Sequence, residues 1–341
     1  MRYQQVCIES TGYCLPEQVL TSQEIELQLA PLWEKLHYQH GYLESLTGIK
    51  ERRIWPIGTP PSKVASKAAQ AAMDQGRIVA GEVDLIIHTG VCRDASEPST
   101  ANIVHHLLGL SPHCIPFDVS NACLGFLNGL TIAANMIELG QIKTALVVSG
   151  ENSAPIYQDT VEILLKNPSE TALRKHLANL TLGSGAVAFV LQHKDVSQRQ
   201  HSFLGGIAQT DNKSHHLCKG HGDLYHQSME TDTLQLMKKG LIISQVTWEL
   251  FKNHLGWRDE TPDHIFNHQV SRSHQAKVFS MLGLDAKEAY SDMENLGNTG
   301  TVATPLSLVL RQNEGKIKSG DKIAMLGIGS GLNCMMLGVQ W

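Results

Sequence analysis

The segment Leu124 to Leu139 is almost wholly apolar along its length. A helix at a protein surface keeps one polar face, whereas a helix that is apolar all round has to be buried all round. This segment therefore requires other parts of the protein on both of its sides. We expect it to form a helix at the centre of the fold.

The rest of the chain predicts α/β organisation. Short apolar runs that end in glycine or polar residues alternate with longer helical patterns, which is typical of buried strands connected by helices. Met1 to Ser10 alternates polar and apolar side chains as a first strand would, and the alanine-rich segment Ser62 to Met73 predicts a helix with one solvated face. Further candidate strands are Val83 to Gly90, Ile115 to Val119, Thr144 to Gly150, Ala186 to Leu191, His264 to His268, Lys322 to Gly327 and Asn333 to Val339.

A faint internal repeat indicates a duplicated fold. Three pairs of matching segments lie at nearly the same separation, and each half would place a helix N-terminus centrally. We expect one functional site between two similar halves. Since α/β units resemble one another, a chance match is the alternative. The pairs are Leu108 to Leu110 with Leu282 to Leu284, Asn121 to Cys123 with Asn295 to Gly297, and Thr144 to Gly150 with Lys322 to Ile328.

Composition excludes several classes of protein. The 341 residues include 28 lysines and arginines against 33 aspartates and glutamates, a formal net charge of −5, and 18% of the residues are charged. This is ordinary globular composition. Nucleic-acid binding is not expected, because it needs clustered basic residues. The seven scattered cysteines are odd in number, which indicates reduced thiols rather than a secreted disulfide framework.

The longest apolar runs, such as Ala145 to Val148 and Ile323 to Ile328, are far shorter than the roughly 20 residues of a membrane-spanning helix. The first residues also lack the pattern of a signal peptide. We expect a soluble, cytoplasmic protein without a membrane span.

Two segments, about Ser153 to Thr181 and the polar, histidine-rich Thr210 to Thr233, fit neither half of the repeat. Both are longer than the usual connection of about 4 to 6 residues. We interpret them as insertions that form a cap, a substrate channel or a contact between subunits.

Cys123 is expected where a strand and a tight turn lead into the apolar central helix. Amide groups and the positive end of that helix would stabilise a thiolate and lower the thiol pKa from about 8.5. A packed core cysteine is the alternative. His268 ends a predicted strand and Asn298 lies in a turn before a helix, so a duplicated fold would bring both to the side of Cys123. Such a trio offers a nucleophile and two nitrogen donors for an oxyanion or enolate.

Several short motifs follow one another along nearly the whole chain. They are Thr47 to Arg53, Asn121 to Cys123, Leu182 to Ala186, His268-Gln269, Gly297 to Thr299 with Pro305, and Gly327 to Gly331. In this order and spacing they resemble the ketoacyl synthase III branch of the thiolase superfamily. The resemblance implies the thiolase fold, a duplicated five-layer αβαβα sandwich, and a homodimer. It divides the chain into an N-terminal half, 1–195, and a C-terminal half, 196–341.

The resemblance also implies roles for individual residues. Cys123, in the N-terminal half, would carry an acyl group as a thioester, while His268 and Asn298, in the C-terminal half, would hold the carbonyl oxygen of a second substrate as it becomes an enolate. The backbone amides of Cys123 and Ser330 would form the oxyanion hole. Contacts to coenzyme A are expected from Arg52 and Arg53 through their family position and from the basic side chain of Arg272, although a solvated helix face explains Arg272 equally well.

Glu97 departs from the ketoacyl synthase III pattern. The position before Pro98-Ser99 is commonly an apolar aromatic residue in that branch, and here it is a carboxylate. A carboxylate in an apolar site has a raised pKa and suits a general base. Glu97, the Arg-Asp pair before it and the ending Leu326 to Trp341 together make the chain resemble the head-to-head acyl-CoA condensing enzymes of olefin biosynthesis.

That resemblance implies that Glu97 of the partner subunit deprotonates one fatty acyl-CoA, which then attacks the acyl group on Cys123 and gives a β-keto acid and free coenzyme A. Coenzyme A thioesters would be substrates, no cofactor is expected, and other enzymes of the same lipid pathway are candidate partners. The alternatives are a decarboxylative synthase that uses a malonyl thioester and a non-catalytic scaffold. Glu97 alone has a further alternative, as a cap of the helix that begins near Pro98.

Two other patterns are discounted. His215-His216, Cys218 and His221 lie close together in the sequence, but they lack the usual ligand spacing of a metal site, so no metal is expected. The glycine-rich segment Gly327 to Gly331 has no βαβ unit after it, which excludes a dinucleotide site.

Overall fold

The structure, a computed structural model, describes residues 1–285 and 290–341. The strands are β1 (Val6–Cys14), β2 (Val19–Thr21), β3 (Glu51–Arg53), β4 (Leu85–Thr89), β5 (Ile115–Val119), β6 (Thr144–Glu151), β7 (Gly185–His193), β8 (His201–Thr210), β9 (Cys218–Gly222), β10 (Gln227–Thr231), β11 (His264–Asn267), β12 (Lys322–Gly329) and β13 (Asn333–Gln340). The helices are α1 (Ser22–Gln28), α2 (Ala30–Leu36), α3 (Tyr42–Thr47), α4 (Pro61–Gly76), α5 (Thr100–Leu107), α6 (Gly125–Glu138), α7 (Ala154–Lys166), α8 (Glu170–His176), α9 (Thr233–Leu255), α10 (Arg272–Leu282), α11 (Met293–Leu296) and α12 (Ala303–Asn313).

The large sheet consists of two halves with the same strand order. From the middle outward, the first half runs β1-β7-β6-β4-β5 and the second runs β8-β13-β12-β11. In each half the first two neighbouring pairs are antiparallel and the next pair is parallel. The halves meet where β1 pairs briefly with β8, through Cys7 with Ser202 and Ile8 with His201. This shared order and orientation confirm the duplication predicted from the sequence.

Alternate residues along the strands face different helix layers. In β4, Leu85 and Ile87 pack in a cluster with α6 and α12, whereas Ile86 packs in a second cluster with α4 and α5. In β12, Met325 faces α6 and α12, whereas Ala324 faces α9 and α10. The layers are therefore α4 and α5, the first half-sheet, α6 and α12, the second half-sheet, and α9 and α10. The predicted central helix is confirmed as α6.

The structure corrects one pair of the proposed repeat. Asn295 to Gly297 was expected to open a helix, but Leu296 ends the short α11 and Gly297 is its C-cap. The helix that corresponds to α6 begins later, at Ala303. A division at residues 195 and 196 falls between β7 and β8. The division of the chain at this point stays a prediction.

Within the described residues, no helix is both long and apolar enough to cross a lipid bilayer. The longest, α9, carries charged residues such as Lys238 and Lys252, and the apolar α6 is covered by the two half-sheets. All seven cysteines are free thiols.

Candidate active site

Cys123 lies in a tight turn between the end of β5 and the start of α6. The turn is closed by hydrogen bonds from the Leu124 amide to the Asn121 carbonyl and from the Gly125 amide to the Ala122 carbonyl. Ala122 has a φ of 46°, a left-handed conformation that few residues other than glycine adopt. The turn therefore presents the partly exposed Cys123 directly before the first turn of a buried helix.

Two glycines of β12 let the second half approach this turn. A Cβ atom at Gly329 would lie 3.4 Å from the backbone nitrogens of both Cys123 and Leu124, and one at Gly327 would lie 2.4 Å from a methyl carbon of Leu124. Ser330 follows Gly329 directly. This close approach places the predicted oxyanion-hole residues, Cys123 and Ser330, on neighbouring backbone segments.

Asn298 is held by its own backbone and by its side chain. Its amide donates to the Thr181 carbonyl at 2.9 Å, and its carbonyl accepts the Gly183 amide at 2.9 Å. The side-chain oxygen accepts the Gly300 amide at 3.0 Å. Because that bond requires an acceptor, the Nδ2 donor lies at the end of the side chain turned away from Gly300.

His268 follows β11 and is buried. Its backbone amide donates to the Leu326 carbonyl at 2.8 Å. Burial, with a smaller contribution from the neighbouring His274, lowers the pKa of His268 to about 4. The imidazole is therefore neutral near pH 7, with one nitrogen that donates and one that accepts. Its Nδ1 has no hydrogen-bond partner among the described residues.

Contacts around the first turn of α6 connect these three residues. On one side, Leu326, which accepts the His268 amide, precedes the Gly327 that packs on Leu124. On the other side, the Asn298 turn continues to Thr301, whose hydroxyl accepts the Phe126 amide at 2.9 Å. The segments that carry Cys123, His268 and Asn298 therefore meet around the first turn of α6, between the two halves.

The expected low pKa of Cys123 is wrong for the chain in this structure. Burial raises the pKa of its thiol to about 12, and the negative charge of Glu151 and the nearby Cys218 thiol act in the same direction. A backbone hydrogen bond acts against them. The thiol is therefore protonated at neutral pH in the absence of substrate.

Glu151 is a site residue that the sequence interpretation missed. It is the last residue of β6 and is 6% exposed. Burial raises the pKa of its carboxyl group, while hydrogen bonds from Val91 and Cys92 act against this. A signal was present in the sequence, since Glu151 directly follows the predicted strand Thr144 to Gly150 and site residues often lie at strand ends.

Glu97 lies on the surface of the single chain, in the connection from β4 to α5. The alternative role as a helix cap is wrong, because Ser99 is the N-cap of α5 and accepts the Asn102 amide. The carboxylate at this helix end is Asp118, which accepts the amides of Thr100 and Ala101. Within one chain, Glu97 does not join Cys123, His268 and Asn298.

The structure argues against one of the three predicted contacts to coenzyme A, that of Arg52. Arg52 is 1% exposed, and its guanidinium donates to the carbonyls of Leu20 and Leu180. Arg53 donates to the carbonyl oxygens of Pro16 and Glu17. Arg52 thus holds backbone inside the fold, whereas the half-buried Arg53 holds backbone near the surface.

Arg272 remains accessible at the start of α10. It lines a cleft of about 650 Å³ with Gly48 and Glu294. Among the described residues, no group of three or more histidines, cysteines or acidic residues is arranged to hold a metal ion.

Both predicted insertions line a larger cleft of about 1650 Å³. Its wall includes Thr181, whose carbonyl accepts the Asn298 amide, and Val270, two residues beyond His268. It also includes Leu217 and Lys219. These two residues flank Cys218, whose thiol raises the pKa of Cys123. The cleft therefore leads towards the trio, as a substrate channel would. The basic side chains along it are Arg174, Lys175, Lys213, Lys219, Lys239 and Lys277.

Comparison with known proteins extends these observations. A family model of 3-oxoacyl-[acyl-carrier-protein] synthase III matches residues 117–212, and the model of the C-terminal part of that family matches residues 253–341. Acyl-CoA:acyl-CoA alkyltransferases from Shewanella oneidensis and Xanthomonas campestris are 40% and 39% identical to this chain, with 100% of both chains covered in each case. A beta-ketoacyl-[acyl-carrier-protein] synthase III from Desulfitobacterium hafniense is 28% identical, with 98% of both chains covered.

Solved structures give the same result. A structure of Xanthomonas campestris OleA has a TM-score of 0.96 and 38% identity, and it covers 100% of this chain and 98% of that chain. A second OleA structure, with bound lauric acid and lauroyl-CoA, has a TM-score of 0.95 and 38% identity and covers 99% of this chain and 100% of that chain.

The duplicated five-layer fold, with a cysteine at the N-terminus of its central helix, defines a thiolase-like acyltransferase. Identity of about 40% along the full length places the chain more narrowly. It belongs to the acyl-CoA:acyl-CoA alkyltransferase (OleA) family, within the ketoacyl synthase III branch. The family resemblance and the fold class predicted from the sequence are confirmed.

Proposed function

We propose that the protein joins two fatty acyl-CoA molecules by a non-decarboxylative Claisen condensation and yields a β-keto acid. The observation that carries this proposal is that the segments of Cys123, His268 and Asn298 meet around the first turn of α6. The chain that contains this site aligns over its full length with two acyl-CoA:acyl-CoA alkyltransferases. With all three residues of the trio present, a non-catalytic scaffold has no support.

The first step is acyl transfer. The sulfur of Cys123 attacks the thioester carbonyl of one acyl-CoA, its proton passes to the neutral imidazole of His268, and the coenzyme A thiolate takes that proton as it leaves. The backbone amides of Cys123 and Ser330 hold the oxyanion. A neutral base is needed because the thiol is protonated in the resting site.

The second step is carbon–carbon bond formation. A base removes a proton from the carbon beside the thioester of a second acyl-CoA, and the donors of His268 and Asn298 hold the resulting enolate oxygen. The enolate carbon attacks the acyl group on Cys123 and releases the cysteine thiolate, which takes back the proton that the base removed. Hydrolysis of the β-ketoacyl-CoA by water then gives the β-keto acid and coenzyme A. Acyl-CoA and water are sufficient, so no cofactor or metal is needed.

Glu97 from the partner subunit is the proposed base. Its exposure on the single chain fits a side chain that enters the site of a second protomer in a homodimer. Solved structures of Xanthomonas campestris OleA include variants of one glutamate, one cysteine and one histidine. These are the residue types of Glu97, Cys123 and His268, which supports the assignment of the three roles.

The larger cleft is the proposed entrance for coenzyme A. Its basic side chains suit the phosphates of the substrate, and Arg272 lies at the adjoining smaller cleft. The protein would act in the cytoplasm, in olefin biosynthesis, with enzymes that consume the β-keto acid as its partners.

The decisive experiment supplies myristoyl-CoA as the sole substrate. We expect free coenzyme A and a β-keto acid without malonyl-CoA. Glu97→Gln should still acquire the acyl mass on Cys123 but form no condensed product, because the amide cannot take the proton. The exposed Glu260→Gln serves as the matched control and should behave as wild type.

Product that forms only with a malonyl thioester would contradict the proposal and assign the decarboxylative reaction of the 28% identical synthases. Loss of both acylation and condensation in Glu97→Gln would give that residue a different role.

A further inference from the structure

Glu151 is a buried carboxylate that the reaction described above does not use. It closes β6 in the first half-sheet and is 6% exposed. A buried carboxylate is costly unless hydrogen-bond donors surround it. The donors around Glu151 come from two separate segments, and each segment leads to a residue of the proposed mechanism.

The first segment is the connection from β4 to α5. The two carboxylate oxygens of Glu151 accept the amide of Val91 at 3.0 Å and the amide of Cys92 at 3.2 Å. A few residues further on, Asp94 is fixed by the amide and the hydroxyl of Ser62. Glu97 follows in the same connection. The carboxylate of Glu151 therefore fixes the start of the segment that carries Glu97.

The second segment is the turn that contains Asn298. A Cβ atom at Gly300 would lie 3.7 Å from the carboxylate of Glu151, and the backbone amide of Thr301 stabilises its charged form. Gly300 is the residue whose amide fixes the Asn298 side chain. The Thr301 hydroxyl accepts the Phe126 amide at the first turn of α6, beyond Cys123.

We propose that Glu151 is a positioning residue for condensation, because its carboxylate holds the segment that supplies Glu97 to the partner and the turn that supplies Asn298 in one fixed arrangement. The inference rests on the proposed function. It adds that the two sites of a homodimer are coupled. One Glu151 side chain positions Asn298, the enolate donor of its own site, and Glu97, the base of the partner's site.

The carboxylate of Glu151 helps condensation through its position, but its negative charge disfavours the thiolate of Cys123. Glu151 and Cys218 both raise the pKa of the Cys123 thiol. The Cys92 thiol contacts Glu151 in turn. Removal of the charge should therefore make Cys123 easier to deprotonate, while loss of the carboxylate geometry should hinder condensation. General structural damage that exposes the thiol would also speed alkylation, so a variant that keeps the charge is needed to separate the two causes.

The test compares Glu151→Gln with Glu9→Gln in the full-length protein. Glu9 is a matched control because it is 4% exposed and accepts two backbone amides, those of Gln198 and Arg199, away from the site. We expect Glu151→Gln to reduce β-keto acid formation from myristoyl-CoA by about tenfold or more, as misplaced groups do. Alkylation of Cys123 by iodoacetamide at pH 8 should become about threefold faster or more. Glu9→Gln should leave both rates within about twofold of wild type.

Glu151→Asp separates charge from reach and serves if the glutamine variant fails to fold. The shorter side chain keeps the charge but cannot reach both segments, so condensation should fall while alkylation of Cys123 stays near the wild-type rate. Unchanged condensation in these variants, or equal losses of condensation and alkylation, would overturn the inference. A wild-type protein that forms no β-keto acid from acyl-CoA alone would overturn the proposed function instead.

Discussion

Cys123 is subject to opposing electrostatic effects. Its place before α6 exposes it to amide groups and to the positive end of the helix, which favour a thiolate. Burial and the charge of Glu151 favour the thiol, and they dominate, with a pKa of about 12. The resting site thus pairs a neutral thiol with a neutral imidazole at His268. The nucleophile forms as its proton leaves, during attack on the substrate.

This balance predicts the pH dependence of alkylation. Because only the thiolate reacts with iodoacetamide, the rate at Cys123 should keep rising about tenfold per pH unit between pH 7 and pH 10. Mass spectrometry of the peptide that contains Cys123 gives the rate. The unfolded protein is the control, since its thiol should approach a plateau above a pKa of about 8.5. A plateau below pH 9 in the folded protein would show that the thiol is not held neutral.

The buried histidines predict that acid weakens the fold. His268 and His274 each have a pKa lowered to about 4, so between that value and about 6.5 the unfolded chain binds more protons than the folded chain. The free energy of unfolding therefore falls as pH drops from 7 to 5, by on the order of 2 kcal/mol for each histidine.

Urea unfolding of His268→Gln at pH 7 and pH 5 measures this contribution. The variant should lose less stability on acidification than wild type, because one of the buried histidines that bind a proton on unfolding is gone. His113→Gln, at an exposed position, should lose as much as wild type. Equal losses in wild type and His268→Gln would show that His268 is not held neutral by burial.

At the scale of elements, the N-terminus of α6 depends on a residue of the other half. The Thr301 hydroxyl accepts the Phe126 amide, one of the donors that a helix cannot satisfy internally. Thr301→Val keeps the shape and removes the acceptor, so it should lower the free energy of unfolding by about 1 to 2 kcal/mol. It should also slow acylation of Cys123 severalfold, since the first turn of α6 loses an anchor.

Thermal unfolding and the burst of coenzyme A release measure the two effects. Thr301→Ser retains the hydroxyl and should stay close to wild type in both. If the serine variant loses stability and the valine variant does not, the methyl group rather than the hydrogen bond supports α6.

The strands and the central helix could be predicted from the sequence because each depends on local pattern. The predicted Ile115 to Val119 coincides with β5, and the apolar segment Leu124 to Leu139 contains α6. β8 was missed because Gly205-Gly206 interrupts its apolar residues. Pairing with β1 and β13 supplies what local pattern lacks there.

The site was predicted less completely, since charge and burial depend on tertiary packing. A predicted strand end and two predicted turns were enough to propose Cys123, His268 and Asn298 as candidate site residues. No local pattern shows that the Arg52 guanidinium holds buried carbonyl groups, or that Glu151 raises the pKa of Cys123. Both depend on segments distant in sequence.

At the scale of the whole molecule, duplication explains why one site needs both halves. α6 lies in the first half and is contacted by β12 and by the Asn298 turn of the second. Glu97, in contrast, lies at the surface of its own chain. The proposed reaction is therefore complete only when a second protomer adds its carboxylate to the thiol, imidazole and amide of the first.

A mixed dimer tests this claim most directly. One protomer carries Cys123→Ala and keeps Glu97, its partner carries Glu97→Gln and keeps Cys123, and different affinity tags isolate the pair. Each variant alone should form no β-keto acid from myristoyl-CoA. The mixed dimer regains one complete site, so we expect roughly half of the wild-type activity per dimer. An inactive mixed dimer, beside an active wild-type dimer with the same two tags, would contradict a base that is donated across the interface.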